Sequence, residues 1–185
     1  GHNKYTTTAG LPALRQQIAE SWSDYQDGLN SDNVCITMSG TNAILNLFLT
    51  LVNPGDNVLI PEPYFPLYGP DAKLCGGDAK YYPCRFEDEF VPKVEDLEQL
   101  IDEKTVAILY NFPSNPTGGT LNLEQRDALL DFAKKHDLWI ITDEVYDRIV
   151  FEGEHVSFMG TGYDKVLLIN SFSKTFAMTG WRLGY

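Results

Sequence analysis

The sequence predicts a three-layer α/β/α fold with a mainly parallel sheet. Segments typical of strands alternate with segments typical of helices, most of them about ten to fifteen residues long. The strand segments are apolar without a polar face, as expected of parallel strands that helices cover on both sides. In addition, each unusual polar motif follows a strand segment, and open α/β sheets bind ligands at the carboxyl ends of their strands. The sequence therefore predicts a ligand site at that edge of the sheet.

The first half of the chain provides two predicted helices and three predicted strands. Apolar residues recur every four positions from Leu14 to Trp22, and Pro12 stands where a first helical turn tolerates it. A β-branched run then predicts a strand, the apolar run after Asn42 predicts a buried helix, and residues 53–56 predict a turn. In order, the segments are a helix over 12–25, a strand over 34–38, a helix over 42–52, and strands over 57–60 and 80–83.

One segment, between the predicted strands over 57–60 and 80–83, is assigned to neither helix nor strand, and the alternation continues after it. That segment, residues 61–68, contains three prolines and three aromatic residues. Continuous apolar runs predict the later strands, and amphipathic runs predict the later helices. In order, the segments are a short helix over 94–101, a strand over 105–110, a helix over 123–136, and strands over 138–142 and 166–169.

Composition excludes several classes of protein. The formal net charge of −12 argues against a nucleic-acid partner, because such partners are bound through a basic surface. No stretch reaches 18 consecutive apolar residues, so we expect no membrane-spanning helix. The cysteines Cys35, Cys75 and Cys84 form no CxxC pair, which indicates reduced thiols and a cytoplasmic location. The histidines are scattered without ligand spacing, and we therefore assign no metal.

The ends of the chain suggest a part of a longer protein. The chain opens without a methionine, and it stops at Tyr185, directly after its most informative motif. Domain boundaries usually fall in polar, flexible linkers, and neither end has that character. We therefore expect residues 1–185 to form one domain that is incomplete at both ends.

The most informative motif runs from Ser171 to Gly184, just after the apolar residues 166–169. Within it, Lys174 offers an amine nucleophile and Arg182 a guanidinium, while Ser171 offers a hydroxyl. A lysine attacks a carbonyl when an apolar surround or a nearby cation lowers its pKa, and a guanidinium also binds anions. The combination indicates a Schiff-base lysine beside a phosphate pocket. Taken alone, a lysine in such a loop is ordinarily a solvated surface residue.

A second candidate for phosphate binding is the run Ser39-Gly40-Thr41, between a predicted strand and a predicted helix. Free backbone N–H groups and the helix dipole favour an anion at a helix start, and a glycine lets the backbone approach it closely. The alternative is that Ser39 or Thr41 is a plain N-cap.

Four further positions have two interpretations each. Asp143 follows a buried run, and its carboxylate either pairs with a protonated ring nitrogen of a cofactor or caps the next turn. Tyr146 either presents its phenol to the same site or is an ordinary buried tyrosine. Asn115, in a proline-rich loop, either donates to a ring oxygen or braces the turn. Phe65 or Tyr64 either stacks on an aromatic ring or belongs to the core.

In order and placement, these residues resemble the aminotransferase class I/II family of pyridoxal-phosphate enzymes, which have fold type I. The resemblance extends from Tyr5 to Gly184. The lysine motif of that family has a serine and a small residue before the lysine, then glycine-x-arginine and a further glycine. Here it ends at Gly184, and Asn-Pro-Thr-Gly at 115–118 and Asp-Glu-x-Tyr at 143–146 stand upstream in the expected order.

The resemblance implies a role for each matching residue. Lys174 would form the Schiff base with pyridoxal 5′-phosphate and carry a proton between substrate and cofactor, while Asp143 would keep the pyridine nitrogen protonated. Tyr146 and Asn115 would hydrogen-bond the ring 3-oxygen, and Phe65 would stack on the ring. The phosphate would be held by Gly40, Thr41, Ser171 and Arg182.

The resemblance also implies partners for this chain. Tyr5 matches a tyrosine that reaches the phosphate in the neighbouring subunit, which implies a homodimer. The small carboxy-terminal domain of the family supplies an arginine for the substrate carboxylate, and we expect that domain to lie outside residues 1–185. Which amino acid and which 2-oxo acid react is therefore not predicted.

The sequence thus predicts an aminotransferase that moves an amino group from an L-amino acid to a 2-oxo acid by a ping-pong route. A C–S β-lyase or a cyclopropane-forming synthase would use the same residues and is an alternative. A non-catalytic regulatory domain that binds the cofactor or only dimerises is another. The negative charge and the intact Lys174 argue against the regulatory alternative.

Overall fold

A computed structural model describes residues 3–185 and contains one parallel five-stranded sheet with the spatial order β2-β1-β3-β4-β5. The strands are β1 (Asn57–Glu62), β2 (Asp78–Pro83), β3 (Thr105–Asn111), β4 (Trp139–Asp143) and β5 (Val166–Ile169). The α-helices are α1 (Pro12–Ser21), α2 (Gly40–Leu51), α3 (Tyr68–Leu74), α4 (Val94–Leu100) and α5 (Leu123–Lys135). Short 3₁₀ helices cover Ser31–Asn33, Phe86–Asp88 and Thr179–Trp181. Of the helices in the described part of the chain, none is both long enough and apolar enough to cross a bilayer.

Alternate residues of the central strand β3 belong to two separate cores. Ile108 and Tyr110 pack in the core that includes residues of α4 and α5, whereas Ala107 and Leu109 pack in the core that includes residues of α2 and α3. All four are fully buried, so the strand has no polar face. The predicted three-layer fold is therefore confirmed, and burial on both faces explains the continuous apolar runs.

The predicted strand over 34–38 is wrong. Within this segment, Thr37 forms a single antiparallel bridge to Gly184, with N–H···O distances of 2.8 Å and 3.0 Å, and no ladder of successive pairs follows in the described residues. β-branched residues favour an extended backbone, but a strand also needs successive partners on a neighbouring segment. The sequence shows the first requirement and not the second.

Two helices differ from the sequence predictions by more than two residues at an end, or in not being predicted at all. Helix α1 ends at Ser21 rather than at residue 25, and the N–H of Trp22 donates to the carbonyl of Ala19 to close the last turn. Helix α3 is not predicted because the segment before it is rich in proline. Pro70 lies in the first turn of α3, where its missing N–H has no helical partner to lose.

The carboxyl ends of the central strands meet beside the start of α2. Asn111 and Asp143 end β3 and β4 and are register partners, and Asp143 also pairs with Ile169 at the end of β5. A Cβ atom built at Gly40, the first residue of α2, would lie 3.6 Å from Ile169 and 3.7 Å from Ser171. The fold therefore places a helix start directly over the strand ends.

Candidate active site

A cavity of about 250 Å³ opens at this edge of the sheet. Its wall includes the start of α2, the segment that leads into α3, the ends of β3 and β4, and the loop after β5. The residues that the sequence proposed and that line it are Gly40, Thr41, Phe65, Asn115, Asp143, Tyr146, Ser171, Lys174 and Arg182. The structure thus gathers side chains from distant parts of the chain into one site.

Tyr5, which the sequence proposed for the site of a neighbouring subunit, does not line the cavity. Its side chain is fully exposed in this single chain. A tyrosine that serves a neighbouring subunit must be exposed on its own subunit, and this role for Tyr5 stays a prediction.

The Asp143 side chain is deeply buried, and its carboxylate accepts few hydrogen bonds. Burial raises the pKa of its carboxyl to about 6, against the effects of Tyr68, the Val145 N–H and the charge of Lys174. The Tyr68 Oη donates to Oδ2 at 2.7 Å, and the Val145 N–H donates to Oδ1 at 3.3 Å. The turn-capping alternative accounts for the contact with Val145, but not for a buried carboxyl that lines a cavity. A carboxylate in this setting is stabilised by a cationic partner.

Sequence reasoning misses Tyr68, which lines the cavity from the start of α3. Its ring is 1% exposed and meets the Phe65 ring edge-on, with the ring centroids 5.5 Å apart. Burial, reinforced by the nearby Asp143, raises the pKa of the phenol well above its usual value, so the hydroxyl stays a neutral donor. The only sequence signal was its place at the end of the aromatic segment 61–68.

Sequence reasoning also misses Asn111, which braces two of the proposed site residues. Its Nδ2 donates to the backbone carbonyl of Asp143 at 2.9 Å, and its Oδ1 accepts from the N–H of Asn115 at 2.8 Å. Asn111 is 3% exposed. A polar residue at the end of a buried strand was the signal that could have identified it.

Lys174 and Tyr146 face each other across the cavity. The Lys174 Nζ lies 5.3 Å from the centroid of the Tyr146 ring, within the range of a cation–π contact. Lys174 itself is exposed. The apolar surround considered from the sequence is therefore not supplied by the described part of this chain.

The start of α2 is a candidate anion site. Ser39 occupies the N-cap position of α2, as the alternative interpretation expected, but its side chain makes no capping hydrogen bond within the described residues. The backbone N–H groups of Gly40, Thr41 and Asn42 have no acceptor among residues 3–185. Arg182 lines the same cavity, and its Nη1 donates to the Thr179 carbonyl at 2.9 Å. Unpaired N–H groups, the helix dipole and a guanidinium together suit a phosphate.

Gly184 holds this anion site in place through a close backbone approach. A Cβ atom at Gly184 would lie 2.4 Å from the Ser39 carbonyl carbon and from the Gly40 nitrogen. Any larger residue would displace backbone rather than a flexible side chain. The glycine that ends the lysine motif therefore has a packing reason in this structure.

The structure distinguishes the two aromatic residues that the sequence proposed for stacking on a ring, Tyr64 and Phe65. The Tyr64 ring stacks on Tyr81, with centroids 5.1 Å apart and an interplanar angle of 21°. Phe65 lines the cavity, whereas Tyr64 does not. Of the two, Phe65 is the residue that a bound ring could contact.

Fold and site together define an open α/β protein whose sheet edge combines a lysine, a buried acid and an anion site. Over residues 1–185 the chain matches the sequence model of the family described as Aminotransferase class I and II. The chain belongs to the class I and II aminotransferase family.

Individual relatives point to the same family. The chain is 38% identical to an aspartate aminotransferase of Thermotoga maritima and 36% identical to an aspartate/prephenate aminotransferase of Thermus thermophilus, covering 100% of this chain and 50% and 48% of those proteins. A solved Thermus thermophilus aspartate aminotransferase with maleate superposes with a TM-score of 0.94 at 35% identity, over 98% of this chain and 48% of that one. An alanine aminotransferase from Pyrococcus furiosus gives 0.95 at 35% identity, over 100% and 47%. The chain thus spans about half the length of the relatives it matches.

Proposed function

We propose that this chain is the cofactor-binding large domain of an aminotransferase that uses pyridoxal 5′-phosphate. The reaction would move an amino group from an L-amino acid to a 2-oxo acid by a ping-pong route. The observation that carries the proposal is that Lys174 and Asp143 line one cavity together with the open start of α2 and Arg182. Family membership and the half-length match to longer aminotransferases support both the activity and the assignment as one domain.

The donor set of the cavity fits pyridoxal phosphate. The unpaired N–H groups at Gly40 and Thr41, with Ser171 and Arg182, would hold the phosphate. The buried Asp143 carboxylate would gain the cationic partner that it lacks by binding the protonated pyridine nitrogen. When bound, the cofactor supplies an electron sink for the substrate α-carbon.

The other residues would orient the ring. Tyr146 and Asn115 would donate to the ring 3-oxygen, and Phe65 would cover one ring face. Lys174 would hold the cofactor covalently through Nζ until substrate arrives. Its freed amine would then accept the proton from the substrate α-carbon and pass it to the cofactor.

Substrate recognition would need residues outside those described. Among the described residues that line the cavity, the cationic ones are Lys174 and Arg182, and both are assigned to the cofactor. A clamp for the substrate α-carboxylate would therefore come from another part of the protein. We further propose a homodimer, with Tyr5 reaching the partner site, and a cytoplasmic location, which the free cysteines Cys35, Cys75 and Cys84 support.

The test is to locate the cofactor on the full-length protein. We expect added pyridoxal phosphate to become fixed to the chain by borohydride reduction, and mass spectrometry to find the increment on the peptide that contains Lys174. Lys174→Ala should abolish the labelling, whereas Lys134→Ala, at an exposed site on α5, should leave it unchanged. Equal labelling of the Lys174→Ala protein would contradict the lysine assignment.

A product assay tests the type of reaction. With an L-amino acid and a 2-oxo acid, a transaminase forms a new amino acid and releases no ammonia. Ammonia released without a 2-oxo acid would favour the lyase alternative and would contradict the proposed transfer.

A further inference from the structure

Glu144 follows Asp143 directly, yet it does not line the cavity and is only 1% exposed. Its carboxylate accepts four hydrogen bonds. The donors and distances are Thr142 Oγ1 at 2.8 Å, Ser157 Oγ at 3.0 Å and the Phe158 N–H at 3.2 Å on Oε1, and His155 Nε2 at 2.6 Å on Oε2. Burying a carboxylate costs free energy unless hydrogen-bond donors pair with it. The four bonds therefore hold the donor groups in one arrangement around the Glu144 carboxylate.

These donors come from both ends of one excursion of the chain. Thr142 belongs to β4, whereas the other three donors lie at 155–158, after β4 has ended and before β5 begins at Val166. The Glu144 carboxylate therefore joins the two ends of the segment over residues 145–154, which we call the excursion. The base is also tied to α5, because the Arg126 Nη1 donates to the Ser157 carbonyl at 2.7 Å.

Tyr146 lies inside this excursion, two residues beyond Glu144. The backbone carbonyl of Glu144 accepts from the Asp147 N–H at 3.0 Å, and the Tyr146 carbonyl accepts from the Ile149 N–H at 2.8 Å. The first turn starts from the anchored Glu144, and the second starts from Tyr146 inside the first. The position of the Tyr146 ring against the Lys174 amine is thus set by a short segment whose base the Glu144 carboxylate holds.

We propose that Glu144, paired with His155, is a positioning residue for the reaction, acting through Tyr146. The pair would hold the excursion so that the Tyr146 phenol points at the ring oxygen of the cofactor beside Lys174. The inference rests on the proposed function, because the ring oxygen belongs to the proposed cofactor. Glu144 itself would contact neither cofactor nor substrate.

The test compares Glu144→Ala with Glu144→Gln in the full-length protein. The Gln amide oxygen can still accept from Thr142, Ser157 and Phe158, so Gln should restore what Ala loses. We expect Glu144→Ala to weaken pyridoxal phosphate binding by about tenfold, and Glu144→Gln by less than about threefold, as measured by equilibrium dialysis. Glu154→Gln, at an exposed site beside His155, is the matched control and should not change the affinity.

A second measurement separates positioning from simple loss of stability. A phenol that donates to the ring oxygen lowers the proton affinity of the nitrogen that Lys174 contributes. We therefore expect the pH midpoint of the bound cofactor's absorbance to rise in Glu144→Ala and to stay unchanged in Glu144→Gln. If Glu144→Ala does not fold, His155→Ala, which leaves three of the four bonds, should shift the midpoint in the same direction.

A double-mutant cycle with Tyr146→Phe tests whether Glu144 acts through Tyr146. If Glu144 acts through Tyr146, its replacement should no longer shift the midpoint once the phenol is gone. A midpoint that does not change in Glu144→Ala, with only a lower melting temperature, would overturn the inference, as would effects that add in the double variant. A wild-type protein that binds no pyridoxal phosphate would overturn the proposed function, and the inference with it.

Discussion

The phenol of Tyr68 donates a 2.7 Å hydrogen bond to Oδ2 of Asp143, and both side chains are at least 95% buried. Tyr68 starts α3 and Asp143 ends β4, so the bond joins a helix to the sheet. Because the Tyr68 ring also meets Phe65 edge-on, one side chain connects the residue proposed to stack on the cofactor with the acid proposed to bind its nitrogen. The acidity of Asp143 therefore depends on a residue that no sequence motif marks.

Tyr68→Phe should raise the pKa of Asp143 further. The phenol donates to the charged form of the carboxyl, and burial already raises that pKa to about 6. A hydrogen bond to a charged group is worth about 1.5 to 3 kcal/mol, so we expect an upward shift of about one pH unit or more. Titration of pyridoxal phosphate binding against pH should show the acidic limb moving upward. A limb that stays in place would show that the bond has no influence on Asp143.

Asp143→Asn should stabilise the cofactor-free protein at neutral pH. The folded-state pKa of about 6 lies above the ordinary 3.8, so the contribution of Asp143 to stability is present at low pH and is lost as the pH rises through about 6. We expect the free energy of unfolding at about pH 7 to rise by about 1 to 3 kcal/mol in the variant, and the gain to shrink toward about pH 4. Urea denaturation at several pH values measures this. A difference that is independent of pH would contradict the linkage.

Gly184→Ala should disturb the anion site, and Gly180→Ala should not. The added Cβ at 184 meets the backbone of Ser39 and Gly40 at 2.4 Å, whereas no described residue has an atom within 4 Å of a Cβ at 180. Forcing an extra methyl group into such a contact costs about 1 to 3 kcal/mol, so we expect a lower melting temperature together with weaker pyridoxal phosphate binding. If the two variants behave alike, the close approach does not matter for the site.

Arg182→Ala should discriminate between cofactor forms. Arg182 is proposed to bind the phosphate, so affinity for pyridoxal phosphate should fall by about 10- to 100-fold, while affinity for pyridoxal should change by less than about threefold. Isothermal titration with both compounds measures the difference. Arg148→Ala, at an exposed position beside Asp147, serves as the control. Equal losses for the two compounds would place Arg182 outside the phosphate site.

Tyr5→Phe tests the shared site of the proposed homodimer. Each subunit would lend Tyr5 to its partner, so a Tyr5→Phe subunit mixed with a Lys174→Ala subunit can form one site that has both residues. We expect such mixed dimers to bind pyridoxal phosphate more tightly than Tyr5→Phe dimers do, by about three- to tenfold. Analytical ultracentrifugation checks the dimer itself. No gain on mixing would remove Tyr5 from the partner site.

The strands and the long helices could be predicted because their signals are local. The runs at 57–60, 105–110 and 166–169 are mainly apolar, which can be recognised without knowing the rest of the chain, and each is a strand or part of one in the structure. The segment 34–38 shows the limit of that reasoning. Its residues favour an extended backbone, but within residues 3–185 only Thr37 of this segment has a bridging partner, which is the distant Gly184.

The sequence by itself determined the order of the α/β elements and the identity of the motif residues, because periodicity and residue chemistry can be recognised from residues that are neighbours in the sequence. Tertiary structure alone decided which side chains touch. Tyr68 and Asp143 are separated by 75 positions, and the four donors to Glu144 come from two ends of one excursion. Such contacts depend on how helices pack over the sheet and on where a buried carboxylate finds its donors, and no local pattern contains that information.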